Sequence, residues 1–353
     1  MATQLRRAFK SENHRLRQIQ EARDQPWFTC SLEFDQKSIY LDFKFEGKEP
    51  QFTHRPKKIY ENKDTHTWVY RCRGQNGPVI KIYKIKGRAQ RHNIEARYLR
   101  IFAEFVQRRI SPHFTLPLGR SLVPAEIARS LVREEELPDG TYQVLMSESA
   151  LASLWEFAHT HRKQLTPYVC KVLLFQTFFT LKLLAANFTS FRHNDLHIGN
   201  VLLQQLAPLP YCTAYETLGQ TFYHDLERCP YRILLWDMYF SSINEEDAAS
   251  LRDVATAPRK VNPYYDVHKL VDSVDYMVQQ CNLEDPELKE FLAFALPEEY
   301  KCRTKNLSRA ETQKLNLIEV RHVTLEEILG HSYFQELCTS YEDIYCTYEI
   351  ERL

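Results

Sequence analysis

The sequence predicts an α+β protein in which a strand-rich first part is followed by a helical second part. Short runs of strand composition occur up to residue 85, and another lies at 141–146. After residue 148 the apolar residues recur at helical spacing instead. Five segments show this spacing: 154–159, 167–187, 265–280, 286–295 and 325–335. Since 353 residues can form one two-lobed protein, we expect a β-rich N-lobe and a mainly helical C-lobe.

The strand-rich part follows an N-terminal extension, in which residues 3–24 carry a narrow apolar stripe typical of a helix. The strand-like runs are 28–34, 38–45, 58–60, 68–72 and 79–85. A helix pattern at 88–107 comes next. The predicted boundaries are an extension over 1–50, an N-lobe over 51–147, a C-lobe over 148–340 with an insertion at 204–232, and a tail over 341–353.

Charge and cysteine usage limit the classes of partner and compartment. Basic and acidic residues are equal in number, 46 each, so we expect neither nucleic acid nor a membrane surface as the partner. The nine cysteines include no Cys-x-x-Cys pair and there is no apolar signal segment, which favours an intracellular protein with reduced thiols. The most apolar stretch, 169–188, contains two lysines and a glutamine, and we interpret it as a buried helix.

The most specific motif follows this helix and reads His193-x-Asp195-x-x-x-x-Asn200 before an apolar strand. In phosphoryl transfer, one carboxylate must face the acceptor hydroxyl, and an amide oxygen must reach a metal bound at the nucleotide phosphates. A second metal-binding carboxylate is expected at the end of another strand. The apolar run 233–236 ends at Asp237, which fits that position.

These strings resemble the eukaryotic-type protein kinase superfamily, and are nearest to haspin-like kinases and kinase-like proteins of large DNA viruses, over residues 55–337. The resemblance implies that Asp195 is the catalytic base and that Asn200 and Asp237 are Mg²⁺ ligands. It places His197 where most serine/threonine kinases have a lysine near the transferring phosphate. Because the charge of histidine changes near neutral pH, we expect activity to depend on pH there.

The same resemblance assigns the nucleotide-binding residues. The run Val79-Ile80-Lys81 is similar to the kinase Val-Ala-Ile-Lys motif, and Glu95 follows in the predicted helix as the partner of Lys81. Glu148 lies in the segment that resembles the kinase hinge. The family therefore implies ATP binding between the lobes.

The phosphate-covering loop departs from the kinase pattern. Asn62, Asp64 and Thr67 stand at the three glycine positions, and an inward Asp64 would repel phosphate. Met238 and Tyr239 follow Asp237 in place of the usual Phe-Gly.

Two features concern how the loop is held and regulated. Asp266 resembles the carboxylate that braces the catalytic-loop backbone, and 322–334 resembles the closing kinase helix. Asn194 replaces the arginine that reads a phosphorylated activation segment, and no Ala-Pro-Glu motif stands at the usual place. We therefore expect a segment that is placed without phosphorylation.

The resemblance implies a serine/threonine protein kinase that uses ATP and Mg²⁺ on a protein substrate in the cytoplasm or nucleus. Two alternatives remain open from the sequence. The glycine-free loop favours a pseudokinase scaffold, whereas choline and aminoglycoside kinases share the string at 193–203.

Overall fold

The computed structural model describes residues 56–63, 66–72, 78–85, 90–133, 137–188, 190–243, 264–303 and 323–350, without the side chains of 90–94 and 299. The chain divides into two compact units, one formed by 1–107 with 115–149 and the other by 108–114 with 150–353. The predicted N-terminal helix and the strands at 28–34 and 38–45 lie outside the described residues.

Within the described residues, the first unit comprises an antiparallel sheet of five strands and two helices. The strands are β1 (Lys57–Asn62), β2 (Thr67–Arg71), β3 (Val79–Lys84), β4 (Pro117–Pro124) and β5 (Thr141–Ser147), in the order β1-β2-β3-β5-β4. The helices are α1 (Gln90–Gln107) and α2 (Ala125–Val132). Trp68, Ile80 and Val144 of the sheet form one apolar core with Leu131 of α2. Burial of this face holds the helix on the sheet.

Strand β4 and helix α2 were not predicted from the sequence. Strand β4 begins and ends with proline and contains Gly119 and Arg120, which is a composition typical of a loop. It forms the edge of the sheet, where a proline breaks no interior ladder of hydrogen bonds. Because β4 lies at the edge of the sheet, it can form a strand although its prolines and glycine are typical of a loop.

The second unit is mainly helical and carries two small sheets. Its helices are α3 (Leu154–Thr160), α4 (Pro167–Asn187), α5 (Tyr265–Gln280), α6 (Pro286–Ala295) and α7 (Leu325–Leu329). One sheet has the order β10-β7-β6, from β6 (Ala152–Ser153), β7 (Val201–Gln205) and β10 (Tyr231–Leu235). The other has the order β11-β8-β9, from β8 (Cys212–Thr217), β9 (Gln220–Asp225) and β11 (Ile344–Glu349). The α+β prediction, with strands dominating the first part and helices the second, is confirmed.

Helix α4 is the core of the second unit. Thr166 caps it by accepting the Val169 N–H, and Pro167 occupies the first turn, where no N–H is needed. The helix is long and apolar enough to cross a membrane by length and composition, yet 83 % of its most apolar window is buried within the protein. Burial on all sides is what a core helix requires, in agreement with the interpretation from the sequence.

The segment 204–232 was predicted as an insertion, and part of it is packed into the second unit. Its strands β8 and β9 form a hairpin whose Tyr215 and Phe222 are buried. The Phe222 ring stacks on Phe175 of α4 at 4.6 Å, and Tyr215 meets Phe179 edge-on at 5.1 Å. The prolines of the segment, Pro208, Pro210 and Pro230, lie outside these two strands.

The C-terminal tail is also part of this unit, because β11 pairs in parallel with β8. The predicted last helix is shorter than expected. Thr324 and Glu327 form the expected capping box, but α7 ends at Leu329 and a 3₁₀ helix follows over Ser332–Cys338. His322, where the closing motif begins, lies outside the described residues.

Candidate active site

The loop 192–200 joins α4 to β7 in the second unit, and its backbone is anchored to α5. Asp266 accepts the backbone N–H groups of His193 at 2.6 Å and of Asn194 at 2.8 Å. Burial raises the pKa of Asp266, although the two N–H donors and the nearby His193 and Arg192 favour the charged form. The bracing contact expected from the sequence is confirmed.

The same face of α5 contacts the loop at two further points. Lys269 forms an ion pair with the Asp195 carboxylate, and Ser273 Oγ accepts the Ile198 N–H at 3.1 Å. Residues 266, 269 and 273 are spaced as i, i+3 and i+7, which places them on one side of a helix. Sequence reasoning missed Lys269. Its spacing of one helical turn from Asp266 was the available signal.

His197 is held in one tautomer by the loop itself. The Gly199 N–H donates to His197 Nδ1 at 3.0 Å, so a neutral ring carries its proton on Nε2. That Nε2 lies 4.0 Å from Asp195 Oδ2, beyond hydrogen-bond distance. His197 is therefore arranged to offer one N–H donor beside the Asp195 carboxylate.

The charge state of His197 corrects one expectation from the sequence. Burial lowers the pKa of His197 to about 4, because it outweighs the attraction of Asp195, and Lys269 and Arg303 act in the same direction as burial. About 29 % of the side chain still remains exposed. A ring with that pKa is neutral between pH 6 and 8. The expected dependence of activity on His197 titration near neutrality is therefore not supported.

Asn200 and Asp237 are the predicted metal ligands, and hydrogen bonds connect their two segments. The Asn200 Nδ2 donates to the Asp195 carbonyl at 2.9 Å, which leaves Oδ1 as the atom suited to a cation. Next to Asp237, the Trp236 N–H donates to the Asn200 carbonyl at 3.1 Å and the Trp236 carbonyl accepts from His193 Nε2 at 2.9 Å. Both backbone polar groups of Trp236, the residue before Asp237, are thereby tied to the loop.

Asp237 itself has a left-handed backbone, with φ 62° and ψ 62°. A non-glycine residue in this region is strained, and such strain is often found at functional positions. Among the described residues, no group of three His, Cys, Asp or Glu side chains could hold a metal ion. A carboxylate and an amide oxygen nevertheless fit Mg²⁺, which keeps several waters and phosphate oxygens among its ligands.

Asn194 fastens the segment after Asp237 by direct contact. Its Nδ2 donates to the Phe240 carbonyl at 2.8 Å, and the Arg192 and Ser242 backbones exchange two hydrogen bonds of 2.8 Å each. This neutral contact stands where the family has a phosphate-reading arginine. It agrees with a segment that is placed without phosphorylation. Residues 244–263, which follow this contact, lie outside the described residues.

Lys81 and Glu95 form a buried ion pair within the first unit, as the sequence predicted. Lys81 Nζ lies 3.0 Å from Glu95 Oε1, with 3 % and 0 % of the two residues exposed. The Tyr83 hydroxyl donates to the other oxygen, Glu95 Oε2. Tyr83 was missed, although it lies two residues after Lys81 and thus on the same face of β3.

Glu148, predicted in the hinge segment, is hydrogen-bonded to Leu116. Its carboxylate accepts the Leu116 N–H at 2.7 Å, and its own N–H donates to the Leu116 carbonyl at 3.0 Å. These two bonds join the residue before β4 to the residue after β5. Nucleotide binding at Glu148 stays a prediction.

The hairpin between β1 and β2 is closed without glycine. Asn62 pairs with Thr67 across the two strands, and Thr67 is buried. Asp64, at the middle glycine position, lies outside the described residues. The cradle of backbone N–H groups that glycines allow is not supplied by Asn62 and Thr67.

Comparison with known proteins supports a kinase relationship. No family model matches the chain. Over 262 residues it is 24 % identical to "Putative serine/threonine-protein kinase R400" of Acanthamoeba polyphaga mimivirus, covering 64 % of this chain and 55 % of the relative. The chain thus spans about half the length of that viral protein.

A solved structure described as a divergent Toxoplasma kinase lacking the glycine-rich loop, which regulates membrane ultrastructure of the parasitophorous vacuole, matches with 14 % identity. It covers 74 % of this chain and 69 % of that chain at a TM-score of 0.38. The resemblance to protein kinases that was inferred from the sequence is confirmed by the viral relative: this chain is similar to a giant-virus protein that carries a serine/threonine kinase name.

Proposed function

We propose that the chain is an ATP-dependent serine/threonine protein kinase that acts on a protein hydroxyl inside the cell. The observation that carries the proposal is the anchored loop, in which hydrogen bonds connect the segments of Asp195, Asn200 and Asp237. A scaffold needs no such set of side chains, whereas phosphoryl transfer needs a carboxylate and a metal-binding amide on one short loop.

Each side chain has a role that its surroundings support. Asp195 would orient the acceptor hydroxyl and receive its proton, while His197 Nε2–H donates a hydrogen bond next to it. Asn200 Oδ1 and the Asp237 carboxylate would hold Mg²⁺. Lys81, oriented by Glu95, would bind nucleotide phosphates. When bound, ATP with Mg²⁺ supplies the phosphoryl group, and the remaining work is positioning by these residues.

The glycine-free hairpin favours a second candidate, a pseudokinase that binds partners without turnover. Without the close backbone approach that glycine permits, nucleotide affinity depends on Lys81 and the metal ligands. We expect a high KM for ATP if the chain is an enzyme. The acceptor distinguishes a protein kinase from a small-molecule kinase.

Nucleotide binding and transfer are measured together to test the proposal. Thermal shift with ATP, with and without Mg²⁺, reports binding; radiolabelled transfer to serine and threonine peptides, histones and small alcohols reports activity. We expect Asp195→Asn to lower kcat by about 10²–10⁴-fold. The control Asp343→Asn makes the same chemical change at an exposed tail residue and should leave activity unchanged.

Each of the other outcomes contradicts one part of the proposed function. Full activity of Asp195→Asn would remove the base role. Stabilisation by ATP without transfer to any acceptor would favour the pseudokinase, and transfer to small alcohols alone would favour the small-molecule kinase.

A further inference from the structure

The ion pair between Lys269 and Asp195 gives the candidate catalytic carboxylate a fixed partner that the loop does not contain. The Lys269 ammonium contacts Asp195 Oδ1, and 24 % and 28 % of the two side chains are exposed. Lys269 Nζ also lies 5.8 Å from the centre of the Tyr265 ring on the same helix. An ammonium group held between a carboxylate and an aromatic face has little freedom to leave either.

Lys269 is also the cation in direct contact with this carboxylate. The neighbouring His197 has its Nε2 4.0 Å from Asp195 Oδ2. That ring is neutral at physiological pH because burial lowers its pKa to about 4. For Lys269, burial opposes the charge, but the attraction of Asp195, with contributions from Tyr265 and Asp266, raises the pKa.

The two oxygens of Asp195 are therefore not equivalent. Oδ1 is engaged by Lys269, whereas Oδ2 has His197 beyond hydrogen-bond distance. The backbone just before Asp195 is tied to Asp266, one helical turn from Lys269 on α5. The backbone of the loop and the Asp195 side chain are thus both held by the same helix, α5. Such rigid support is needed to hold a reacting group within a fraction of an ångström.

We propose that Lys269 is the positioning residue of Asp195: from α5 it holds Oδ1 and leaves Oδ2 to receive the acceptor hydroxyl. This inference deepens the proposed function and rests on it. Lys269 acts through Asp195 and is no nucleotide ligand, so its loss changes turnover and not ATP binding.

The test compares steady-state kinetics of the full chain and four variants: Lys269→Met, Lys269→Arg, Lys182→Met and Asp195→Asn. We expect Lys269→Met to lower kcat by about 10²-fold with the KM for ATP unchanged, since a small misplacement of a reacting group has an effect of this size. Lys269→Arg keeps the charge and the donors, and should recover at least about tenfold of the loss. Lys182→Met breaks a comparable ion pair, with Glu326 at 3.1 Å, and should behave like the parent.

A second measurement does not depend on turnover. The melting temperatures of Lys269→Met, Asp195→Asn and the double variant form a cycle, and the two single changes should be non-additive because each removes the same pair. If the changes in melting temperature of the two single variants were additive, the two side chains would not interact, and the proposal would fail. This result holds even if Lys269→Met lowers kcat by destabilising the fold.

The outcomes separate this inference from the proposed function. If the parent transfers phosphate and Asp195→Asn does not, but Lys269→Met equals Lys182→Met, Lys269 has no positioning role and the kinase assignment stands. A KM for ATP that rises with the fall in kcat, without recovery in Lys269→Arg, would mean a general structural role and also overturn it. If the parent transfers no phosphate to any acceptor, the proposed function and the positioning role fail together.

Discussion

At the scale of single residues, backbone strain occurs at two positions of the candidate site. Asn194 and Asp237 both have φ 62°, a left-handed conformation that costs a non-glycine residue of order 1 kcal/mol or more. Each is held there by hydrogen bonds, Asn194 through Asp266 and Phe240, and Asp237 through its neighbour Trp236. Strain that is maintained in this way points to a functional requirement for the direction of the side chain.

Gly199 tests whether the orientation of His197 matters. A Cβ at Gly199 would lie 2.7 Å from His197 Cε1 and 2.9 Å from Nδ1, so the ring must move. We expect Gly199→Ala to lower kcat by roughly tenfold through the lost hydrogen-bond donor, at little cost in stability. The measurement is the peptide phosphorylation rate of Gly199→Ala, His197→Ala and the double variant.

Because both changes act through one ring, the double variant should be no slower than His197→Ala. Multiplicative losses would show that Gly199 acts independently of His197.

At the scale of elements, α5 is a template for the loop. Asp266, Lys269 and Ser273 on one face contact the backbone of 193–194, the side chain of 195 and the backbone of 198. Ser273 also donates to the Leu270 carbonyl of its own helix at 2.6 Å, so its hydroxyl both donates and accepts. The loop, which ends at residue 200, takes its shape from a helix that begins at residue 265, about 65 residues later in the chain.

Removal of the brace should therefore destabilise the second unit. Asp266→Ala leaves two buried N–H groups without an acceptor, and we expect a loss of about 2–5 kcal/mol in the free energy of unfolding. Urea unfolding followed by fluorescence provides the measurement. Asp275→Ala is the matched control on the same helix, because Asp275 accepts an exposed hydrogen bond from Gln279. It should stay within about 0.5 kcal/mol of the parent.

Equal unfolding midpoints for Asp266→Ala and Asp275→Ala would contradict the bracing role. A destabilised but fully active Asp266→Ala would separate the brace from the catalytic geometry.

At the scale of the whole molecule, the second unit is larger than the kinase motifs suggest. The hairpin β8–β9 packs on α4, and the tail strand β11 completes the same sheet. Tyr348 of β11 is 4 % exposed, with its ring 5.7 Å from Tyr215 and 6.5 Å from His113. The chain end is thus joined to the core by aromatic packing.

The Tyr348→Ala variant measures how much the tail strand β11 contributes to the stability of the second unit. Deleting a buried aromatic ring costs about 3–5 kcal/mol, whereas Thr347→Ala changes an exposed neighbour on the same strand and should cost at most about 0.5 kcal/mol. Thermal and urea unfolding of both variants provide the comparison. A Tyr348→Ala protein as stable as Thr347→Ala would mean that β11 is dispensable for the second unit.

Local sequence patterns were enough to predict the class of fold, several complete elements and the order of the chemical groups. The bounds of α4 and α6 follow from apolar period, caps and proline positions, and α5 follows from its apolar period; all of these are local properties. Asp195 and Asn200 were recognisable because both lie in one short loop, where their spacing in the sequence also keeps them close in the folded protein.

The contacts between distant groups became visible only in the folded structure. It pairs Lys269 with Asp195, places Glu148 against Leu116, and joins β11 to a hairpin within the segment that was predicted as an insertion. The physical reason is that a local pattern sets period and termini, whereas strand partners and ion pairs are chosen by burial across the chain. For that reason the sequence predicted where the candidate site lies, and the packing of α5 showed what contacts the Asp195 carboxylate.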